Sequence, residues 1–148
     1  MQAVRPGRPA KYSMNALAAL SPAIPLSIGN DLLALSRTAG YRMVNEGTYP
    51  CTVFKAGDQH RVVTADLLGI LGLPDLHIRQ RMARLPPAIR LSEANDLLSL
   101  SRTTGYKLAR NGQYPCHVLR LGTEYRVRKH ELQRLLHIGD VSSGRAAA

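Results

Sequence analysis

Between Leu91 and Leu136 the apolar positions change period twice. Leu97 and Leu98, then Leu108 and Ala109, recur at helical spacing and predict two short helices with one apolar side each. Ser92 stands ahead of Glu93 to Leu100 as an N-cap, with acidic residues where a helix dipole favours them. Ser101 offers a second cap for Arg102 to Arg110, and Asn111-Gly112 stops that helix. After Tyr114-Pro115 the period falls to two. Cys116 to Arg120 and Glu124 to Arg128 read as strands around Leu121-Gly122-Thr123, a hairpin signal. A closing helix, Lys129 to His137, aligns Leu132, Leu135 and Leu136.

The same order occurs 65 positions earlier without a gap: a helix from Ser27, a second from Ser36 to Asn45, a hairpin around Ala56-Gly57-Asp58 and a helix from Thr64 to Leu71. Asn30-Asp31-Leu32-Leu33 returns as Asn95-Asp96-Leu97-Leu98, and Leu35-Ser36-Arg37-Thr38 as Leu100-Ser101-Arg102-Thr103. Gly40-Tyr41 returns as Gly105-Tyr106, Tyr49-Pro50-Cys51 as Tyr114-Pro115-Cys116, and Arg61-Val62 as Arg126-Val127. Roughly half of the aligned positions are identical, and a long period repeated twice means two small domains rather than a solenoid. Helix, turn, helix, hairpin, helix predicts a mainly α fold with small β-hairpins: two tandem winged helix-turn-helix domains. The expected division is a flexible basic arm at 1–12, a first domain at 13–73, a linker at 74–77, a second domain at 78–138 and a disordered tail at 139–148. A short helix precedes each unit, at Asn15 to Leu20 and at Ile78 to Leu85.

Units of about 50–60 residues lie near the lower limit for an independent core and leave no room for an enclosed active site. With no Trp and one Phe, the cores rest on Leu, Val, Ile and Ala. The net charge of +10 divides as +2 over residues 1–75 and +8 over residues 76–148. Such a basic excess points to a polyanion, nucleic acid before membrane. Met14 to Leu26, preceded by Arg5, Arg8 and Lys11, superficially resembles a signal peptide. Pro22 and Pro25 interrupt that run, and its counterpart Arg79 to Leu91 is charged, so the reading favours a cytoplasmic, nucleoid-associated protein. Cys51 and Cys116 supply one thiol per unit, read as small buried residues starting a strand, with no disulfide possible within a unit and no zinc spacing.

The distributed string of Leu-Ser, a short helix, Leu-x-Ser-Arg-Thr-x-x-Tyr, Gly, Tyr-Pro, a Gly-centred hairpin, Arg-Val and a Leu-rich closing helix resembles the excisionase-type branch of the MerR-like winged helices. It covers about residues 26–73 and 91–138. Gly40 and Gly105 depart from the family pattern, where a larger apolar residue is usual. Glycine costs a helix about 1 kcal/mol relative to alanine, which points to unusually close packing there.

The resemblance implies double-stranded DNA as partner. A helix-turn-helix sets the start of its second helix against base edges in the major groove. That selects Arg37, Thr38, Tyr41, Arg42 and Asn45 in the first unit, and Arg102, Thr103, Tyr106, Lys107 and Arg110 in the second. Arginine reads guanine and asparagine reads adenine, while a tyrosine hydroxyl reaches phosphate. Each tyrosine reads equally well as a residue at the core boundary. Lys55, Arg61, Arg120, Arg126 and Arg128 place cations along the hairpins, to follow the backbone or enter the minor groove. Arg5, Gly7, Arg8 and Lys11 resemble a minor-groove arm, although such strings more commonly form a non-specific flexible arm.

The function expected is a sequence-specific DNA-binding protein, a transcriptional regulator or excisionase-like architectural factor reading direct-repeat half-sites. One alternative is a recombination directionality factor of a phage or integrative element; another is a non-specific basic nucleic-acid or RNA-binding protein. An absence of exposed aromatic stacking residues is expected, which argues against single-strand recognition. Further candidate partners are an integrase and additional copies of the chain on DNA. No enzyme, cofactor, metal, membrane or small-molecule ligand is expected. His60, His77, His117, His130 and His137 do not recur between copies, and neither copy offers a catalytic set.

Overall fold

The computed structural model describes residues 12–139. In the first unit α1 (Met14–Ala18) leads to β1 (Ala23–Pro25), α2 (Leu26–Leu32), α3 (Arg37–Glu46), β2 (Val53–Ala56), β3 (Gln59–Val63) and α4 (Thr64–Ile70). The second unit repeats the order with α5 (Leu76–Ala83), β4 (Ala88–Arg90), α6 (Leu91–Leu97), α7 (Arg102–Arg110), β5 (Val118–Leu121), β6 (Glu124–Arg128) and α8 (Lys129–Leu135).

The expectation of a mainly α fold with small hairpins is overturned. Among the described residues eight helices accompany two three-stranded antiparallel sheets, about 47% helix and 19% strand, an α+β fold. The difference lies in β1 and β4. Each pairs with the second strand of its hairpin, so the sheet orders are β1-β3-β2 and β4-β6-β5. Ala23 lies opposite Val63 and Ile24 opposite Val62; Ala88 lies opposite Arg128 and Ile89 opposite Val127. Three residues are too few to display a period of two. Pro25 further masks β1, and proline is tolerated there because the strand is an edge. These strands also move the helix starts. Strand runs directly into helix, Pro25 and Arg90 occupy the N-cap positions without a side-chain cap, and Ser92 lies inside α6 instead of capping it. Ser36 and Ser101 do cap α3 and α7, accepting hydrogen bonds from Ala39 N at 3.0 Å and Thr104 N at 3.1 Å.

The glycines in α3 and α7 have a direct cause. A Cβ on Gly40 would sit 2.1 Å from Asn30 Oδ1, and one on Gly105 2.1 Å from Asn95 Oδ1. Both asparagines are buried on the preceding helix. Their Oδ1 atoms accept hydrogen bonds from the hydroxyls of Tyr49, at 3.0 Å, and Tyr114, at 2.8 Å. Burial raises both phenols, Tyr49 to about 12, with the neighbouring Cys51 or Cys116 adding to the effect. The repeated Asn, Gly and Tyr are one device. They clamp helix to helix and fix the angle at which the second helix is presented.

Ile24 and Val62 on the inner face of the first sheet join Leu26, Cys51 and Leu67 in a core belonging to that unit. Alternation sends Ala23, Ala56, Phe54 and Arg61 to the outer face. There Ala23 and Ala56 enter a second, larger core with Leu97, Leu98, Leu108, Val127 and Leu132, while Phe54 packs against it. The two units share apolar interior. Ser99 Oγ donates to the carbonyl of Ala23 at 2.6 Å, and His137 Nδ1 lies 2.8 Å from Asp66 Oδ1. Gly57, at φ +65°, lies so close to α7 that a Cβ would come within 2.8 Å of Leu108 Cδ2.

Candidate nucleic-acid interface

Arg37, Thr38, Tyr41, Arg42 and Asn45 are all exposed on one side of α3, as their spacing requires. The Arg37 guanidinium lies 5.7 Å from the centre of the Tyr41 ring, and Tyr41 meets His60 of β3 edge-on, with centroids 5.8 Å apart. Lys55 is exposed on β2, opposite His60.

The second unit repeats and extends this arrangement. Arg102, Thr103, Lys107 and Arg110 are exposed on α7, with Tyr106 half-buried beside them. Arg102 lies 5.7 Å from the Tyr106 ring centre, Tyr106 packs edge-on against Tyr125 at 6.1 Å, and Arg120 lies 6.0 Å from the Tyr125 ring. A chain of two packed rings with a cation at each end therefore ties the exposed helix to the hairpin. Each cation sits over a negative π-face, so the guanidiniums are held without losing their outward N–H groups. Arg120 Nε also donates to Gly122 O at 3.1 Å, which anchors it at the hairpin tip. Arg128 is exposed and paired with Glu131 at 2.8 Å, so its charge is locally balanced.

The structure places Arg61 elsewhere. It is 7% exposed and wedged between the units, where Nε donates to Leu98 O at 3.0 Å and Nη2 to Ser99 O at 2.8 Å. Burial pulls its guanidinium below the ordinary arginine range. Its donors serve the C-terminal end of α6 and are not presented to a phosphate. Arg126, its copy, is half-buried, with Nη2 2.5 Å from Glu124 Oε1. Arg5, Gly7, Arg8 and Lys11 lie outside the described residues.

Tyr125, His60 and Arg90 were missed as candidate contacts. His60 and Tyr125 occupy one repeat position, immediately before the repeated Arg-Val. A ring beside that motif in both copies was the available signal. Arg90 replaces Pro25 of the first copy and lines an open groove of about 390 Å³ with Ser92, Tyr106, Tyr125 and Arg126. The expected absence of exposed aromatics does not hold. Tyr41 is 38% exposed, although Arg37 and His60 flank its ring.

Among the described residues, no three His, Cys, Asp or Glu side chains gather where a metal could be held, and no helix is long and apolar enough to cross a membrane. No protein-family model, curated protein or solved structure matches the chain.

Proposed function

We propose that this chain is a sequence-specific double-stranded DNA-binding protein, a transcriptional regulator or excisionase-like architectural factor built from two MerR-like helix-turn-helix units. The supporting observation is the Arg102–Tyr106–Tyr125–Arg120 chain, which links an exposed cationic helix to an exposed cationic hairpin. A helix in the major groove and a hairpin along the backbone would use both at once. Thr103, Lys107 and Arg110 extend the helix face, and Arg37, Thr38, Arg42 and Asn45 offer a second one. The units meet through different faces, sheet against helices, so the two helices are not related by a two-fold axis. That geometry favours half-sites in direct repeat over a palindrome. A regulator and a recombination directionality factor would share this surface; the latter would act beside an integrase.

Selection of bound duplexes from a random pool tests the reading. The expected product is a pair of directly repeated half-sites. Arg102→Ala then relaxes preference at one or two base pairs, costing about 1–3 kcal/mol there, while Lys107→Ala weakens all sequences alike and lowers the salt slope by about one. Failure to enrich any sequence, or equal affinity for single strands, would sink sequence-specific duplex recognition.

A further inference from the structure

The faces that join the two units inside the chain are each present twice and used once. The outer face of the first sheet is covered by α6 and α7. Its copy on the second sheet is open: Ala56 is 1% exposed, whereas Leu121 at the same repeat position is 56% exposed, and exposed Ala88 replaces fully buried Ala23. The reciprocal face behaves in the same way. Leu98 and Leu108 are buried under the first sheet, whereas their copies Leu33 and Met43 are only half-covered.

The hydrogen-bonding groups are also duplicated, in matching geometry. Arg61 is steadied by Nη1 donating to His60 O at 2.9 Å and Nη2 to Gln59 Oε1 at 2.6 Å, and then reaches the carbonyls of Leu98 and Ser99. Arg126 is steadied identically, with Nη1 on Tyr125 O at 2.9 Å and Nη2 on Glu124 Oε1 at 2.5 Å. The acceptor end has its copy too. Ser99 is left-handed at φ 58°, which turns the end of α6 towards Arg61, and Ala34 after α2 has the same φ of 58°.

We propose that a second copy of this chain docks end to end by repeating the internal interface, the outer face of β4–β6 of one copy seating on the α2–α3 end of the next. Arg126 donates to the carbonyls of Leu33 and Ala34, and Leu121 packs against Met43. Leu121 is bulkier than Ala56 and meets the flexible Met43 in place of Leu108, while Arg90 and Arg128 replace Pro25 and Val63 on the same face and put charge at its margin. Ala34 lacks the hydroxyl with which Ser99 reaches Ala23, and no linker raises the local concentration, so this contact is weaker than the internal one. Charge supports the polarity. End-to-end docking sets the +8 part of one chain against the +2 part of the next, whereas a two-fold pairing of second units would oppose +8 to +8. A heterologous contact of this kind leaves each pair with an unused face at either end, so assembly does not stop at two chains. The inference stands independently of DNA binding.

Sedimentation equilibrium of DNA-free full-length protein, over about 1 μM to 1 mM, tests it. The weight-average mass should rise with concentration beyond two chains of 16.2 kDa. Leu121→Glu blocks one end and Met43→Glu the other. Each alone should lower the association constant at least about tenfold, and mixing the two should restore pairs and nothing larger. Far-UV circular dichroism and unfolding midpoints verify that both variants are folded. The proposal is overturned by a mass that stays at one chain, by a dimer indifferent to mixing, or by variants that assemble like the parent. It is equally overturned if Arg126→Ala leaves self-association unchanged.

Discussion

Arg61→Met against Arg126→Met is the sharpest comparison that the duplication allows. Both replacements keep an unbranched apolar stem and delete a guanidinium from the same repeat position, on β3 and on β6. At Arg61 the loss removes four hydrogen bonds, of which the two to Leu98 O and Ser99 O cross between the units and have no counterpart at Arg126, in a site 7% exposed. Such bonds contribute about 1.5–3 kcal/mol each, and carbonyls stranded without a donor add to the cost. Removing the desolvated charge returns part of this, so the net destabilisation should be about 2–4 kcal/mol. At Arg126 the remaining ion-pair partner, Glu124, has a side chain 64% exposed. Exposed pairs contribute about 0–1 kcal/mol, and that is the expected loss. For a chain of this length about 1 kcal/mol moves Tm by roughly 3 °C, so the expected shifts are about 6–12 °C and under about 3 °C. Calorimetry and urea unfolding, run at a concentration where sedimentation gives the mass of one chain, give both values. Equal shifts in the two variants, or a loss below about 1 kcal/mol for Arg61→Met, would refute Arg61 as the fastener between units.

Gly105→Ala should destabilise by about 1–3 kcal/mol, because the added methyl lands on the buried Asn95 amide; the gain of about 1 kcal/mol expected from helix propensity alone, seen by thermal denaturation, would contradict the clamp. Burial, with Asp66 and Glu131 adding to it, raises the Cys51 thiol to about 11 and the Cys116 thiol to about 12. Both should therefore alkylate far more slowly at pH 8 than in the unfolded chain, as mass spectrometry after timed iodoacetamide exposure would reveal. The same raised thiols contribute stability in full below pH 9, the unfolded value, and lose it as pH climbs through the folded values; Cys51→Ala should flatten that alkaline decline in urea midpoint. Partial burial pushes Asp66 upward, but hydrogen bonds from His137 and Thr52 outweigh it and hold the carboxyl below its ordinary value of 3.8. Its contribution is present above that pH and disappears as pH falls through the folded value, so Asp66→Asn should make the acid limb of the stability curve shallower.

Local order was legible in this sequence wherever a period had room to show itself. The serine caps of α3 and α7, the glycine turns of both hairpins and the closing helices follow from caps, turn residues and periodicity. Close packing at Gly40 and Gly105 was legible as a conflict with helix propensity, although Asn30 and Asn95 as its cause were not. The strands β1 and β4 were hidden by their brevity, and with them the sheet character of the fold. The exposed cations of α3 and α7 could be placed because helical spacing assigns a face. Arg61 could not, since a strand cation reads alike whether it meets solvent or a neighbouring unit. The Arg–Tyr chain of the second unit joins residues from separate elements, and such contacts appear only with the tertiary structure.

The shared core has a consequence for how this protein is made. On the ribosome the first unit is complete once α4 has emerged, yet its outer sheet face stays bare until Leu97, Leu98 and Leu108 follow. During that interval a nascent chain exposes Ala23, Ala56 and Phe54 together, the kind of transient apolar surface that invites aggregation. Chain elongation closes it in cis, and Arg61 fastens to α6 only after the turn at Ser99 has formed. A stalled or prematurely terminated chain ending in the α5 region would keep that face open for the whole of its lifetime, and would be a ready substrate for chaperones and proteases.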